Sequence, residues 1–182
     1  MIKDLVYYGD PLLRKKCQEV EEITDDIRQI AQDLIETALE KDGAGLAAPQ
    51  IGYEVRMFVS RYENGEDKEG WPILCPPKIY INPKLSKPSE KMDTHNEGCL
   101  SIPGIYEKVT RPYEIHVEAM DLDGKIFTEV ATGWRARNIM HENDHLNGVL
   151  YIDRIAPNQR KRLEPHLREL KKNFTPKKWR DA

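Results

Sequence analysis

The stretch Trp134-Arg135-Ala136-Arg137-Asn138-Ile139-Met140-His141-Glu142-Asn143-Asp144-His145-Leu146-Asn147-Gly148 decides how the rest of the chain is read. It has helical spacing from about Trp134 to Asn147, with Gly148 as a natural C-terminal stop. Within it lies the pattern H-E-x-x-H. Residues four apart lie one above the other on a helix, so His141 and His145 share a face. Two imidazoles so placed can hold one metal ion, and the intervening Glu142 can reach a water that the ion activates. Apolar Ile139 and Leu146 anchor the helix.

Working outward, the strands come before this helix. Tyr113 to Ala119 alternates as a half-buried strand. Asp123-Gly124 is a hairpin turn signal, and Lys125 to Ala131 is the returning strand. Val55 to Val59 and Ile79 to Asn82 are shorter strands, the second stopped by Pro83. Residues 61–78 and the segment leading to Glu97 read as polar loops. Gly43 to Gly52 is too rich in glycine for a regular element. Upstream, residues 1–23 read as extended or irregular, with a turn at Gly9-Asp10-Pro11. A helix follows from about Thr24 to Lys41. Thr24 caps it, Asp25 and Asp26 sit at its positive end, and Ile27, Ile30, Ala31, Leu34, Ile35 and Ala38 form one apolar stripe. A last helix runs from about Gln159 to Asn173, with Leu163, Leu167, Leu170 and Phe174 on one side. The expected class is α+β, with antiparallel strands packed around a central metal-binding helix and a helix towards each end.

The 182 residues are 39% hydrophobic and 32% charged. That suits one globular domain, here 1–182, with 157–182 a basic C-terminal helix and tail. No apolar run approaches the roughly 20 residues that span a bilayer. Met1-Ile2-Lys3-Asp4 does not resemble a leader, so export is not expected. Three cysteines, Cys17, Cys75 and Cys99, give no disulfide framework and fit a reducing compartment such as the cytoplasm. Net charge is -3, yet Arg154 to Ala182 carries ten basic and three acidic side chains, leaving -10 on the remainder. A tail of +7 is suited to a polyanion or to a solvated helix face.

A catalytic metal site needs a third protein ligand and an open fourth position. The extended metallopeptidase pattern places a further histidine after Gly148, but Tyr151 stands there. Glu164, the other metallopeptidase choice, lies on the basic tail helix. The remaining candidate is Cys99 in Glu97-Gly98-Cys99-Leu100-Ser101, whose thiolate binds divalent ions strongly. Cys17 and Cys75 read as inert thiols.

Three separated segments together resemble the peptide deformylase family. Gly43-Ala44-Gly45-Leu46-Ala47-Ala48-Pro49-Gln50 resembles its G-x-G-L-A-A-x-Q motif, Glu97 to Ser101 its E-G-C-L-S motif, and His141 to His145 its H-E-x-D-H motif. The likeness extends from Gly9 to Arg154. It implies Cys99, His141 and His145 as ligands of one divalent ion, usually Fe2+, with Zn2+, Ni2+ and Co2+ also accepted. It implies Glu142 as general base and acid, and the Gln50 amide with the Leu100 N–H as the carbonyl-oxygen site. Gly45 and Gly98 are implied to lie beside the substrate backbone. The implied reaction removes the formyl group from N-formylmethionyl nascent peptides and releases formate. The resemblance also implies ribosome contact through the basic C-terminal helix.

The chain departs from the family at Met140, where glutamine is usual. Trp134 and Asn138 fall on the face that lines the methionine pocket, and they predict a narrower or more polar one. Glu97 and Arg111 are expected to pair, and Asp144 to orient a ligand histidine or to bind a basic residue. Two other readings compete: a zinc peptidase cutting internal bonds, and a structural-metal protein whose tail binds RNA. A missing third histidine disfavours the first, and an incomplete ligand set disfavours the second.

Overall fold

The computed structural model describes residues 1–66, 68–69 and 72–173. Along the chain run a 3-10 turn Pro11–Arg14, helix α1 (Asp25–Glu40), strand β1 (Gly45–Ala47) and a second 3-10 turn Ala48–Ile51. Strands β2 (Met57–Ser60), β3 (Glu63–Glu66), β4 (Pro72–Leu74), β5 (Lys78–Ser86), β6 (Met92–Cys99), β7 (Ile102–Pro112), β8 (Glu114–Met120) and β9 (Ile126–Thr132) follow. Helix α2 (Gly133–Leu146), a 3-10 turn Tyr151–Asp153 and helix α3 (Pro157–Asn173) complete the described part. The class is α+β. All strand pairs are antiparallel, in one sheet ordered β1-β2-β5-β8-β9 and two hairpins, β3-β4 and β6-β7.

Alternation along the sheet places the two long-range helices on opposite faces. Leu46, Met57, Val59, Ile79 and Ile81 face the stripe of α1, packing on Ala31, Leu34 and Ala38. Their neighbours Ala47, Phe58 and Tyr80, with Val117 and Ala131, pack on Ala136, Ile139 and Leu146 of α2. A third cluster joins Ile102, Ile105 and Val109 of β7 to Leu150–Ile152 and to Leu167 and Leu170 of α3. Thr24 caps α1, its Oγ1 accepting from the Ile27 N–H at 3.3 Å. The expected Phe174 of the α3 stripe lies outside the described residues.

Four segments differ from the sequence reading. Gly45–Ala47 is a true strand, because an edge position with small side chains tolerates glycine where a central strand would not. Residues 61–78 contain the β3-β4 hairpin; Glu63, Asn64 and Gly65 are exposed, so no apolar alternation betrays it. β5 continues through Pro83, where Asn82 adopts φ 49° and the register shifts between Ile81 and Lys84. The Asn82 side chain accepts from Val20 N–H and donates to Val20 C=O, both at 2.8 Å, which fixes this bulge. The segment leading to Glu97 is β6, paired along its length with β7. Its Asp93, Thr94, His95 and Asn96 are polar because that end of the hairpin stands in solvent.

Candidate metal centre

Helix α2 is unusual for a buried helix. Arg137, Asn138, His141, Glu142, Asp144 and His145 are all buried in it. Burying so many polar groups is costly unless each finds a partner. Tracing those partners outlines the site.

His141 and His145 stand one turn apart with ring centroids 5.2 Å from each other. Cys99, at the end of β6, reaches towards both. Its Sγ lies 3.4 Å from His145 Nε2. Among the described residues these are the one set of three metal-competent side chains, with ligand atoms within 4.8 Å of one another. Gln50, at the second 3-10 turn, donates from Nε2 to Cys99 Sγ at 3.5 Å and to Ser101 Oγ at 3.1 Å. Its Oε1 accepts from the Ala47 N–H at 2.9 Å, which orients the amide.

Glu97 organises the far side of His141. Its Oε1 accepts from His141 Nδ1 at 2.9 Å and from Arg111 Nη2 at 2.8 Å, and its Oε2 from Arg111 Nε at 2.7 Å and Arg137 Nη1 at 2.6 Å. An ionised carboxylate only accepts, so Nδ1 carries the hydrogen and Nε2 is left for a ligand. Burial would raise the Glu97 pKa, but Arg111 and His141 outweigh it and hold the carboxyl far below its usual range. The expected Glu97–Arg111 pair is therefore present and buried. Asp144 takes the second expected option: it binds Arg111 and Arg154, not a histidine.

Burial also acts against a charge on His141, yet hydrogen bonds to Cys99 and Glu97 prevail and lift its pKa well above the ordinary value. Burial and the nearby His141 and Arg111 charges push His145 the other way, keeping it neutral. One thiol with two imidazoles is a donor set that divalent transition metals accept. Glu142 is pushed up to about 7, chiefly by burial and against the pull of His141. Its Oε2 is buried with no hydrogen-bond partner.

These groups open on a cavity of about 400 Å³ that Gly45, Gln50, Gly98, Cys99, Leu100, Trp134, Asn138, His141 and Glu142 help line. At Gly45 a Cβ would lie 2.5 Å from Glu142 Oε1, so only glycine admits the carboxylate there. At Gly98 a Cβ would collide with the ring of Tyr106. Asn138 lines the cavity, but its Nδ2 donates to Ala44 C=O and Ser60 Oγ at 2.9 Å and to Arg61 C=O at 3.2 Å. Its polarity thus serves to tie α2 to the strands. Trp134 is 41% exposed, at the rim. Tyr151 stacks on His141 with centroids 5.9 Å apart and donates its hydroxyl to Ile105 C=O at 2.8 Å, and Glu164 pairs with Arg160. Both are engaged away from the three ligand atoms.

Sequence reasoning missed Arg137, Tyr106 and Ser101. Arg137 lies four residues before His141, so its place on the ligand face was readable from helical spacing. Tyr106 carried no signal, because it reaches the site through strand register, opposite Gly98.

An α+β fold with a half-buried cysteine beside two buried histidines, a carboxylate oxygen without a hydrogen-bond partner and an adjoining cavity defines a candidate metallohydrolase. The family model described as polypeptide deformylase matches residues 2–161. Peptide deformylase of Maricaulis maris is 37% identical over 172 residues, 94% of this chain and 95% of that protein. That of Pseudomonas aeruginosa is 40% identical over 166 residues, 91% and 94% of the two chains. The crystal structure of peptide deformylase from Ehrlichia chaffeensis superposes with a TM-score of 0.84 at 31% identity, covering 95% of this chain and 98% of that one. This chain belongs to the polypeptide deformylase family and is an enzyme of that family.

Proposed function

We propose that this enzyme hydrolyses the N-formyl group from the formylmethionine that begins newly made polypeptides, releasing formate. The observation that carries the reading is the buried Glu142 Oε2, without a hydrogen-bond partner, in the helix that carries His141 and His145 and in a cavity lined also by Cys99. Those three side chains would hold one divalent ion, for which we favour Fe2+, with Zn2+, Ni2+ or Co2+ fitting the same donors. When bound, the ion supplies polarisation of the formyl carbonyl and acidification of water.

The chain's own groups account for the rest. Glu142, raised to about 7, is matched to accept a proton from water near neutral pH and to return it to the departing amine nitrogen. Water adds to the formyl carbon, the C–N bond breaks, and the amine leaves with the returned proton. Gln50 Nε2 and the Leu100 N–H donate to the developing oxyanion, typically about 3 kcal/mol per donor. Gly45 and Gly98 leave room for an extended peptide backbone, and Trp134 and Asn138 border the methionine side chain. Among the described residues no helix is long and apolar enough to cross a membrane. We place the activity in the cytoplasm, on nascent chains, with the basic α3 as the surface for ribosome contact.

The test is deformylation of formyl-Met-Ala-Ser by anaerobically purified enzyme beside Glu142→Ala, with metal content measured in both. Activity in the parent and a loss of at least about a thousandfold in a variant that retains metal support the reading; removing an acid–base group alone costs roughly 10² to 10⁴. An inactive parent with a filled site, or a variant that keeps its rate, overturns it.

A further inference from the structure

We propose that Arg154, which lies outside the three motifs, is a positioning residue for the ligand His141, acting through a chain of charge-assisted hydrogen bonds. The inference rests on the metal reading above. The chain runs Arg154–Asp144–Arg111–Glu97–His141. Arg154 grips Asp144 with a fork, Nε to Oδ2 and Nη2 to Oδ1, both at 2.6 Å. Asp144 Oδ2 also accepts from Arg111 Nη1 at 2.9 Å. Arg111 turns its other two nitrogens on Glu97, and Glu97 holds His141 Nδ1.

Two features make this more than a row of ion pairs. First, the inner part is a closed circuit. His141 and Asp144 are both on α2, Glu97 is on β6 and Arg111 on β7, so the bonds leave the helix at one residue and return three residues later. The circuit fixes the distance between α2, which carries both histidines, and the strand that carries Cys99. Second, Asp144 meets Arg111 through a single bond to one oxygen. What keeps that oxygen aimed is the fork from Arg154, a planar donor pair matched to a carboxylate. Asp144 and Arg111 are buried, whereas the Arg154 side chain is 44% exposed. The one member open to solvent therefore orients the outermost buried carboxylate, and through it the ligand set.

The experiment titrates the metal-free enzyme with Co2+ against a competing chelator and records the visible spectrum, for the parent, Arg154→Gln, Arg154→Lys, Asp144→Asn and the double variant. Outer partners of metal ligands typically change affinity about 10- to 100-fold. For Arg154→Gln we expect Co2+ binding weakened about tenfold with a shifted cobalt spectrum, and partial recovery in Arg154→Lys, which restores the charge without the fork. The loss should vanish when Arg154→Gln is added to Asp144→Asn, because the chain is already broken there. Unchanged affinity and spectrum in Arg154→Gln overturn the proposal. So does an equal loss in the Asp144→Asn background, or a melting temperature of the metal-free protein that falls enough to explain the weaker binding. A parent that takes up no Co2+ with a thiolate band removes the metal reading itself, and the proposal with it.

Discussion

Arg111 holds Glu97 through two parallel hydrogen bonds, Nε to Oε2 at 2.7 Å and Nη2 to Oε1 at 2.8 Å, with both side chains buried. Removing Arg111 takes two of the four hydrogen bonds from the buried Glu97 carboxylate and one of three from Asp144. Arg111→Met should destabilise the fold by about 3–5 kcal/mol, the usual range for such a break. Denaturant unfolding of the metal-free protein measures this; a change below about 1 kcal/mol would show that the fold does not depend on the pair.

Gly45→Ala addresses the carboxylate that we propose as the catalytic one. The new methyl would sit 2.5 Å from Glu142 Oε1, so the carboxylate must shift. We expect kcat on formyl-Met-Ala-Ser to fall at least about tenfold, or about 1.4 kcal/mol in barrier. Bound metal should remain, since none of the three ligands is touched. Steady-state kinetics with metal analysis decides it, and an unaffected kcat would show that Glu142 needs no such proximity.

Asn138 was expected to make the methionine pocket polar, and its bonds point to a different outcome. Asn138→Ala takes a donor from Arg61 C=O and Ser60 Oγ, while Ala44 C=O keeps the Arg61 N–H at 2.7 Å, and an unpaired buried acceptor costs about 1–3 kcal/mol. The variant should lose stability by about that much, while its preference for formylmethionine over formylated polar residues changes little. A large change in preference at unchanged stability would restore the pocket role.

Trp134 lines the cavity with 41% of its surface in solvent, where its bulk is placed to restrict entry. Trp134→Leu should raise kcat/KM for formyl-Met peptides through KM, leaving kcat near the parent value. Equal or poorer efficiency would count against a steric role.

Acid stability should involve Asp153. Burial would raise its pKa, but Arg14 and the Leu150 N–H prevail and lower it. A depressed folded-state value means stability that is fully present above the unfolded carboxylate pKa, about 3.9, and is lost as pH falls through the folded value. Asp153→Asn should flatten the acid side of a stability–pH curve and leave its slope above about pH 6 unchanged. An identical acid limb in both proteins would exclude Asp153 from that loss.

The sequence made the helices and the approach of Cys99, His141 and His145 legible for a physical reason. Ligands four apart on one helix, and the stripe of α1, are local patterns that a one-dimensional reading preserves. β6 and β7 escaped because register, not periodicity, brings Tyr106 across Gly98, and polar strands in solvent lack alternation. Asn138 was located correctly on its face, but its hydrogen-bond partners lie 77 to 94 residues away and no spacing rule reaches them.

Cys99 and His145 are separated by 46 positions in the chain, yet their ligand atoms nearly touch. A ribosome adding about 5–20 residues per second delivers the thiol seconds before the second imidazole. During that interval Gln50 is the one hydrogen-bond partner of the thiol already made, and helix α2 is not complete to cover it. The centre can therefore close on a metal only late in its own synthesis, and an enzyme proposed to act on emerging chains would spend most of its own emergence without a working site.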